Sequence, residues 1–198
     1  MLFRSVLENL LEQNKPTRPA STVHLDYLLA TPFRYHPLRG GSRFRATTDP
    51  WVFYGAESVR TASAEVGYHR WKFLHDAVAL EKLEPVAHTA FRADLHTHTV
   101  DLRKSPFNVD AEAWLHPMNY QATQAFAQAA RIAELGGIAY QSVRNPQPGW
   151  CLVLLTPQAF ARAKPRAAMQ TWWLVVHTRE VIWRKDNESM AFSAAGWQ

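Results

Sequence analysis

The chain has 198 residues, is 47% hydrophobic and carries a net charge of +5. That apolar content with moderate charge excludes general disorder and supports one compact domain with its own core. The single cysteine, Cys151, excludes an intramolecular disulfide framework and suits a reducing, cytoplasmic setting.

In chain order, Leu2 to Leu11 reads as a short amphipathic helix, ended by the two prolines of the segment from Lys15 to Pro19. Glu8 and Glu12 interrupt the apolar run that a signal peptide would need. His24 to Leu29 is a second short apolar piece. Pro32 and Pro37 bracket an irregular connection, and paired glycines at Gly40 and Gly41 suit close backbone approach to a ligand. Trp51 to Gly55 predicts a strand. Ser58 predicts the N-cap of a helix running to about Leu74, with Val59, Ala62, Val66 and Phe73 facing the core.

Further along, Glu84 to Ala93 and Leu95 to Leu102 predict two strands paired with each other, followed by a loop from Lys104 to Pro117. Asn119 or Tyr120 opens an alanine-rich helix to Leu135, with Gly136 and Gly137 as its C-terminal cap. Strands are expected at Ile138 to Val143, Trp150 to Leu155, Thr171 to His177 and Glu180 to Arg184. Without regular βαβ alternation, the class is α+β. No apolar run reaches the roughly 20 residues that span a bilayer, so no membrane partner is expected.

Several familiar sites are absent. There is no glycine fingerprint of Rossmann dinucleotide binding, no phosphate-binding P-loop and no nucleophile elbow. Cys151 lies in an apolar run and reads as a buried, inert strand residue. His96 and His98 alternate on an expected strand and share a face, but no third ligand shows metal-site spacing, and no metal is expected. His69 follows Glu65 by one helical turn, an ordinary contact. The basic balance, with a pI near 9.6, suits an anionic partner: nucleic acid, a phosphate-bearing small molecule or an acidic protein. No basic run reads as a nucleic-acid tail.

The remaining constellation is Arg43, Tyr54 and Glu65, in order along a strand and the helix after it. Glu65 falls at the edge of the expected buried stripe, where a carboxylate needs a partner or a role. Spacing alone favours a structural Arg43–Glu65 ion pair over a catalytic site.

The ordered segments Gly40 to Phe44, Val52 to Ala56 and Thr61 to Glu65 resemble the RES domain family, named for arginine, glutamate and serine. Tyr140 to Arg144 matches the family's strand bearing the serine, Ser142. Tyr120 to Gln124, the helix after it and Gly136-Gly137 follow the family's order, so the resemblance runs from about Pro32 to Phe160. It implies a fold similar to ADP-ribosyltransferases, with NAD as substrate in a cleft of a split β core. It also implies a toxin, partnered by an Xre-like antitoxin through which alone nucleic acid would be contacted. The expected organisation is an N-terminal helical extension (1–31), a catalytic domain (32–185) and a C-terminal tail (186–198).

The resemblance assigns Arg43 to the diphosphate or its ribose, Tyr54 to the nicotinamide end, Glu65 to the nicotinamide ribose and Ser142 to a hydrogen bond near the nicotinamide. Many members carry Gly-Arg-Trp-Asn where this chain has Ser42-Arg43-Phe44-Arg45. That departure makes Arg34 and Arg45 further candidates for the diphosphate. The implied activity is NAD glycohydrolysis or phosphorolysis. The alternatives are ADP-ribosylation of a cellular protein and a catalytically inactive binding module.

Overall fold

The computed structural model describes residues 16–34, 41–77 and 80–197. The helix expected at Leu2 to Leu11 and the segment around Pro37 and Arg39 lie outside them. The fold is α+β, with its β structure split between two four-stranded sheets. The helices are α1 (Tyr27–Ala30), α2 (Val59–Asp76), α3 (Ala111–Leu115) and α4 (Gln121–Ile132). The strands are β1 (Phe53–Ala56), β2 (Lys82–Ala90), β3 (Thr99–Asp101), β4 (Gly137–Gln141), β5 (Trp150–Leu154), β6 (Gln170–His177), β7 (Glu180–Lys185) and β8 (Glu188–Ser193).

The first sheet has the order β1-β5-β4-β3, antiparallel except for the parallel β3–β4 pair. The second has the order β2-β6-β7-β8 and is antiparallel throughout. The two strands expected to pair with each other therefore belong to different sheets. The chain leaves β2 and is pinned between the sheets by local contacts. The Asp94 carboxylate accepts from Arg166 at 2.6 Å and Arg162 at 3.1 Å, and Leu95 bridges to Phe160. Each strand then finds its partner far along the chain, which local pattern does not encode.

Helix α2 begins where its capping residue places it: the Ser58 hydroxyl accepts from the Thr61 amide at 3.2 Å. Its buried face matches the expected one at Val59, which packs against the core, and differs further along. Ala64, Gly67, Tyr68, Trp71 and Leu74 are buried, whereas Val66 and Phe73 are 39% and 56% exposed. The helix lies against the second sheet through small and aromatic residues, in one core with Trp172, Leu174, Val176, Val181, Trp183, Phe192 and Trp197. Gly67 sets the approach. A Cβ there would stand 3.0 Å from Cγ1 of the fully buried Val181. Large aromatics carry the apolar area, so the branched aliphatics on the other face are spared.

Helix α4 ends at Ile132, and Glu134 rather than a glycine takes the positive φ, 56°, after it. Gly136 and Gly137 instead lead into β4, and Gly136 donates to the His98 carbonyl at 2.9 Å. The expected loop from Lys104 to Pro117 contains a 3₁₀ turn (Phe107–Asp110) and α3.

The expected tail is part of the second sheet. A tight turn with Asp186 at φ 50° folds β8 back along β7, and Trp197 is buried in the core. The expected boundary at residue 32 separates nothing either. Leu25, Leu29 and Ala30 share a core cluster with Phe33, Leu154, Ala159 and Phe160.

Candidate active site

A cleft of about 170 Å³ opens beside α2, between β1 and the segment that joins α3 to α4. Its floor comes from the first sheet. Ala56 and Tyr140 flank Cys151 in register, and Tyr54 and Gly55 lie along β1. One wall is α2, which presents Ala62, Glu65, Val66 and His69. The other wall carries Ser42, Arg43, Tyr120 and Arg144.

Glu65 is half-buried. Its Oε1 accepts from the Ser142 hydroxyl at 2.5 Å and from the Cys151 thiol at 3.8 Å. Ser142 is 5% exposed, and its oxygen also accepts from the amides of Arg144 at 3.3 Å and Asn145 at 3.1 Å. A hydroxyl has one proton to give, and here it goes to Glu65. Ser142 therefore fixes the carboxylate while two backbone donors fix Ser142.

The Arg43 loop closes on itself. Ser42 donates its amide to the Arg45 carbonyl at 2.7 Å, and Arg45 returns one to Ser42 at 3.1 Å. A Cβ on Gly41 would collide with that Arg45 carbonyl and stand 2.8 Å from Gln124 Nε2. The glycine is thus demanded by the loop's own closure rather than by a ligand. Helix α4 holds the loop from behind, where Gln124 donates to the Ser42 carbonyl at 3.0 Å and Thr123 donates to that of Arg43.

Arg43 is 8% exposed and donates Nη1 to the carbonyls of Trp114 at 2.9 Å and His116 at 3.0 Å. Its guanidinium lies 4.8 Å from the Tyr120 ring centroid. The Arg43–Glu65 ion pair that spacing alone favoured is not formed. Both groups instead face the same cleft.

Tyr54 bridges the loop and the sheet. Its hydroxyl accepts from the Phe44 amide at 3.0 Å and hydrogen-bonds Ser42 Oγ at 2.8 Å. Burial of that hydroxyl raises its pKa, against the lowering effect of those hydrogen bonds and of Arg43. Its ring remains free to face a ligand.

Arg45 and Arg34 do not line the cleft. Arg45 is 3% exposed and lies over Trp51 at 5.4 Å. Arg34 donates Nε to the Pro16 carbonyl at 2.6 Å.

The cleft contains residues for which sequence reasoning had no role. Arg144 is 4% exposed, stacks 3.4 Å from the Tyr68 ring centroid and donates Nη2 to the Pro117 carbonyl and, at 3.5 Å, to the Tyr120 hydroxyl. Its only signal in sequence was its place two residues after Ser142. His69 sits one turn beyond Glu65. Loss of hydration holds its imidazole below the ordinary 6.5, with Glu65 opposing and Arg144 and Arg43 assisting. Burial and the Glu65 charge push the Cys151 thiol up to about 12, so it stands as an unreactive floor residue. Among the described residues, no three His, Cys, Asp or Glu side chains gather to hold a metal ion.

The cleft gathers two arginines, a glutamate fixed by a serine, and tyrosine rings. The family model of the RES domain matches residues 16–177. The chain belongs to the RES domain family. No curated protein matches it. RES domains are associated with NAD-related enzymatic function, and the match spans the whole cleft except the C-terminal elements that support it. No helix among the described residues of this RES domain is long and apolar enough to cross a membrane.

Proposed function

We propose that this RES domain cleaves the bond between nicotinamide and ribose in NAD, with Glu65 as the catalytic residue. The observation that carries the reading is the Glu65 carboxylate, fixed by Ser142 at 2.5 Å in a cleft that also holds Arg43 and Arg144.

When the glycosidic bond breaks, its electron pair passes to the nicotinamide ring nitrogen, which leaves neutral. Positive charge develops on the ribose at its anomeric carbon, as in glycoside cleavage. A carboxylate already held in place stabilises that charge without reorganising, and favours the transition state over the ground state. An oxygen of water, which gives up a proton to solvent, or an anionic oxygen of phosphate then bonds to the anomeric carbon, and depletion of cellular NAD is the consequence. Arg43 serves the phosphates, because a planar guanidinium donates in pairs to phosphoryl oxygens. The exposed face of Tyr54 packs against the nicotinamide end. Ser142 acts as a positioning residue, a refinement of the hydrogen bond near the nicotinamide that the family resemblance implied.

Purified protein is expected to release nicotinamide from NAD, and the Glu65→Gln variant to lose that release while keeping its melting temperature. Wild-type turnover in the variant would overturn the assignment. The family resemblance supports a toxin with an Xre-like antitoxin as its partner. Addition of one equivalent of that partner is expected to stop nicotinamide release.

A further inference from the structure

The cleft holds more positive charge than its own groups neutralise. Arg43 and Arg144 are both more than nine-tenths buried and both line it. Neither forms an ion pair with a carboxylate among the described residues. The Glu65 carboxylate takes its hydrogen bonds from Ser142 and Cys151 instead. His69, with its imidazole below the ordinary value, adds no charge at neutral pH. Two buried guanidinium groups against one half-buried carboxylate leave an excess of one positive charge in the cleft. A buried charge without a counter-ion is costly, and an anionic ligand removes that cost.

The two cations also converge on one short segment. Arg43 donates to the carbonyls of Trp114 and His116, and Arg144 to that of Pro117. Tyr120 stands between them, with its ring under Arg43 and its hydroxyl 3.5 Å from Arg144 Nη2. Each guanidinium has five N–H groups. Arg43 commits only Nη1 and Arg144 only Nη2 to side-chain hydrogen bonds with described residues. The other nitrogens keep their donors for something else. The fixed carbonyls and the Tyr68 and Tyr120 rings hold both planes in place, so the spare donors are preorganised.

We propose that Arg43 and Arg144 together form a two-cation subsite for a phosphoryl anion. Arg144 thus takes the second position that sequence reasoning offered to Arg34 or Arg45. The proposal rests on the NAD-cleaving reading only for the source of the anion. That source is either the diphosphate of the dinucleotide or inorganic phosphate acting as the acceptor.

The test is thermal unfolding of the full chain with added ADP-ribose, inorganic phosphate or nicotinamide, together with nicotinamide release on the same samples. The proteins are wild type, Arg144→Gln, Arg144→Lys and, as a control on the open face of the second sheet, Arg184→Gln. A ligand that binds the folded chain raises its melting temperature. Wild type and Arg184→Gln are expected to respond equally to ADP-ribose or phosphate. Arg144→Gln is expected to need at least about tenfold more of the same anion, about 1.4 kcal/mol, with an unchanged response to nicotinamide. Arg144→Lys falls between, keeping the charge but losing the fork. A response to ADP-ribose alone identifies the dinucleotide's diphosphate, and one to inorganic phosphate alone identifies the acceptor. No response to either in wild type, or an equal response in a folded Arg144→Gln, overturns the subsite.

Should Arg144→Gln fail to fold, guanidinium NMR signals of the wild-type chain decide the matter. Movement of both Arg43 and Arg144 on titration with the anion supports the subsite, and movement of one or neither overturns it. A wild type that releases nicotinamide but binds neither anion defeats the subsite alone. One that binds them without cleaving NAD defeats the proposed reaction alone.

Discussion

The two sheets divide the work. Every strand residue that lines the cleft belongs to the first sheet: Tyr54, Gly55 and Ala56 on β1, Tyr140 on β4 and Cys151 on β5. The second sheet contributes none, yet its Trp172, Leu174, Val176, Val181, Trp183 and Phe192 form the core on which α2 rests. Helix α2 connects the two, with Ala64, Gly67, Tyr68 and Trp71 turned to the second sheet and Glu65 and His69 to the cleft. Chemistry and support can therefore be separated by substitution. Changes to the exposed and half-buried side chains of the cleft should alter rate more than stability, and changes in the core of the second sheet should do the reverse.

The largest expected effect is on the supporting side. Leu174→Ala leaves a cavity in a core residue that is 2% exposed and should cost about 2–5 kcal/mol of stability, measured by denaturant unfolding. Turnover per folded molecule should stay near wild type. A fall in kcat without a fall in stability would break the division.

Glu65→Gln should lower kcat on the order of 10²–10³-fold, about 2.7–4 kcal/mol, with an unchanged melting temperature. Ser142→Ala removes one hydrogen bond to a charged acceptor, about 1.5–3 kcal/mol. It should lower kcat less than Glu65→Gln does, with a smaller change in KM. An effect equal to that of Glu65→Gln would give Ser142 a direct part in the reaction.

A smaller effect comes from His69. Its imidazole is held below 6.5 in the folded chain, so the unfolded chain takes up the proton first as pH falls. The contribution of neutral His69 to stability is present above its ordinary value and is lost on acidification through it. Stability should therefore fall as pH drops below about 6.5, and His69→Gln should flatten that slope. The smallest perturbation is chemical labelling. Cys151, with its thiol pushed up to about 12, should resist iodoacetamide at mildly alkaline pH in the folded chain and react once it is unfolded.

Part of the cleft was legible in sequence: the ordered segments that resemble the RES domain family carry Arg43, Tyr54 and Glu65, which line it, and Ser142, which holds Glu65. Ser58 fixed the start of α2, and the distance from cap to Glu65 is short enough to carry the carboxylate to a definite turn. The buried face of the same helix was not legible. Ala64 and Gly67 look unremarkable until a sheet presses on them, while Val66 and Phe73 look apolar but stay exposed. Strand pairing failed for a related reason: β2 finds β6, and β3 finds β4, across long stretches of chain. β8 did leave a signal, the adjacent turn-forming residues Asp186 and Asn187 between two short segments. Arg144 left almost none, because Tyr68, Pro117 and Tyr120 come to it from two other elements.

The indole of Trp197 donates to the Arg144 carbonyl at 2.9 Å, in a buried contact. This bond gives the molecule an order in time. During synthesis the glutamate, the serine and both cations emerge well before residue 197, but the turn that carries Arg144 gains its last anchor only once that residue has been made. A nascent chain then holds all the side chains that line the cleft before it holds them still. Fixing of the Arg144 turn waits for residue 197 rather than arriving with the cleft residues themselves.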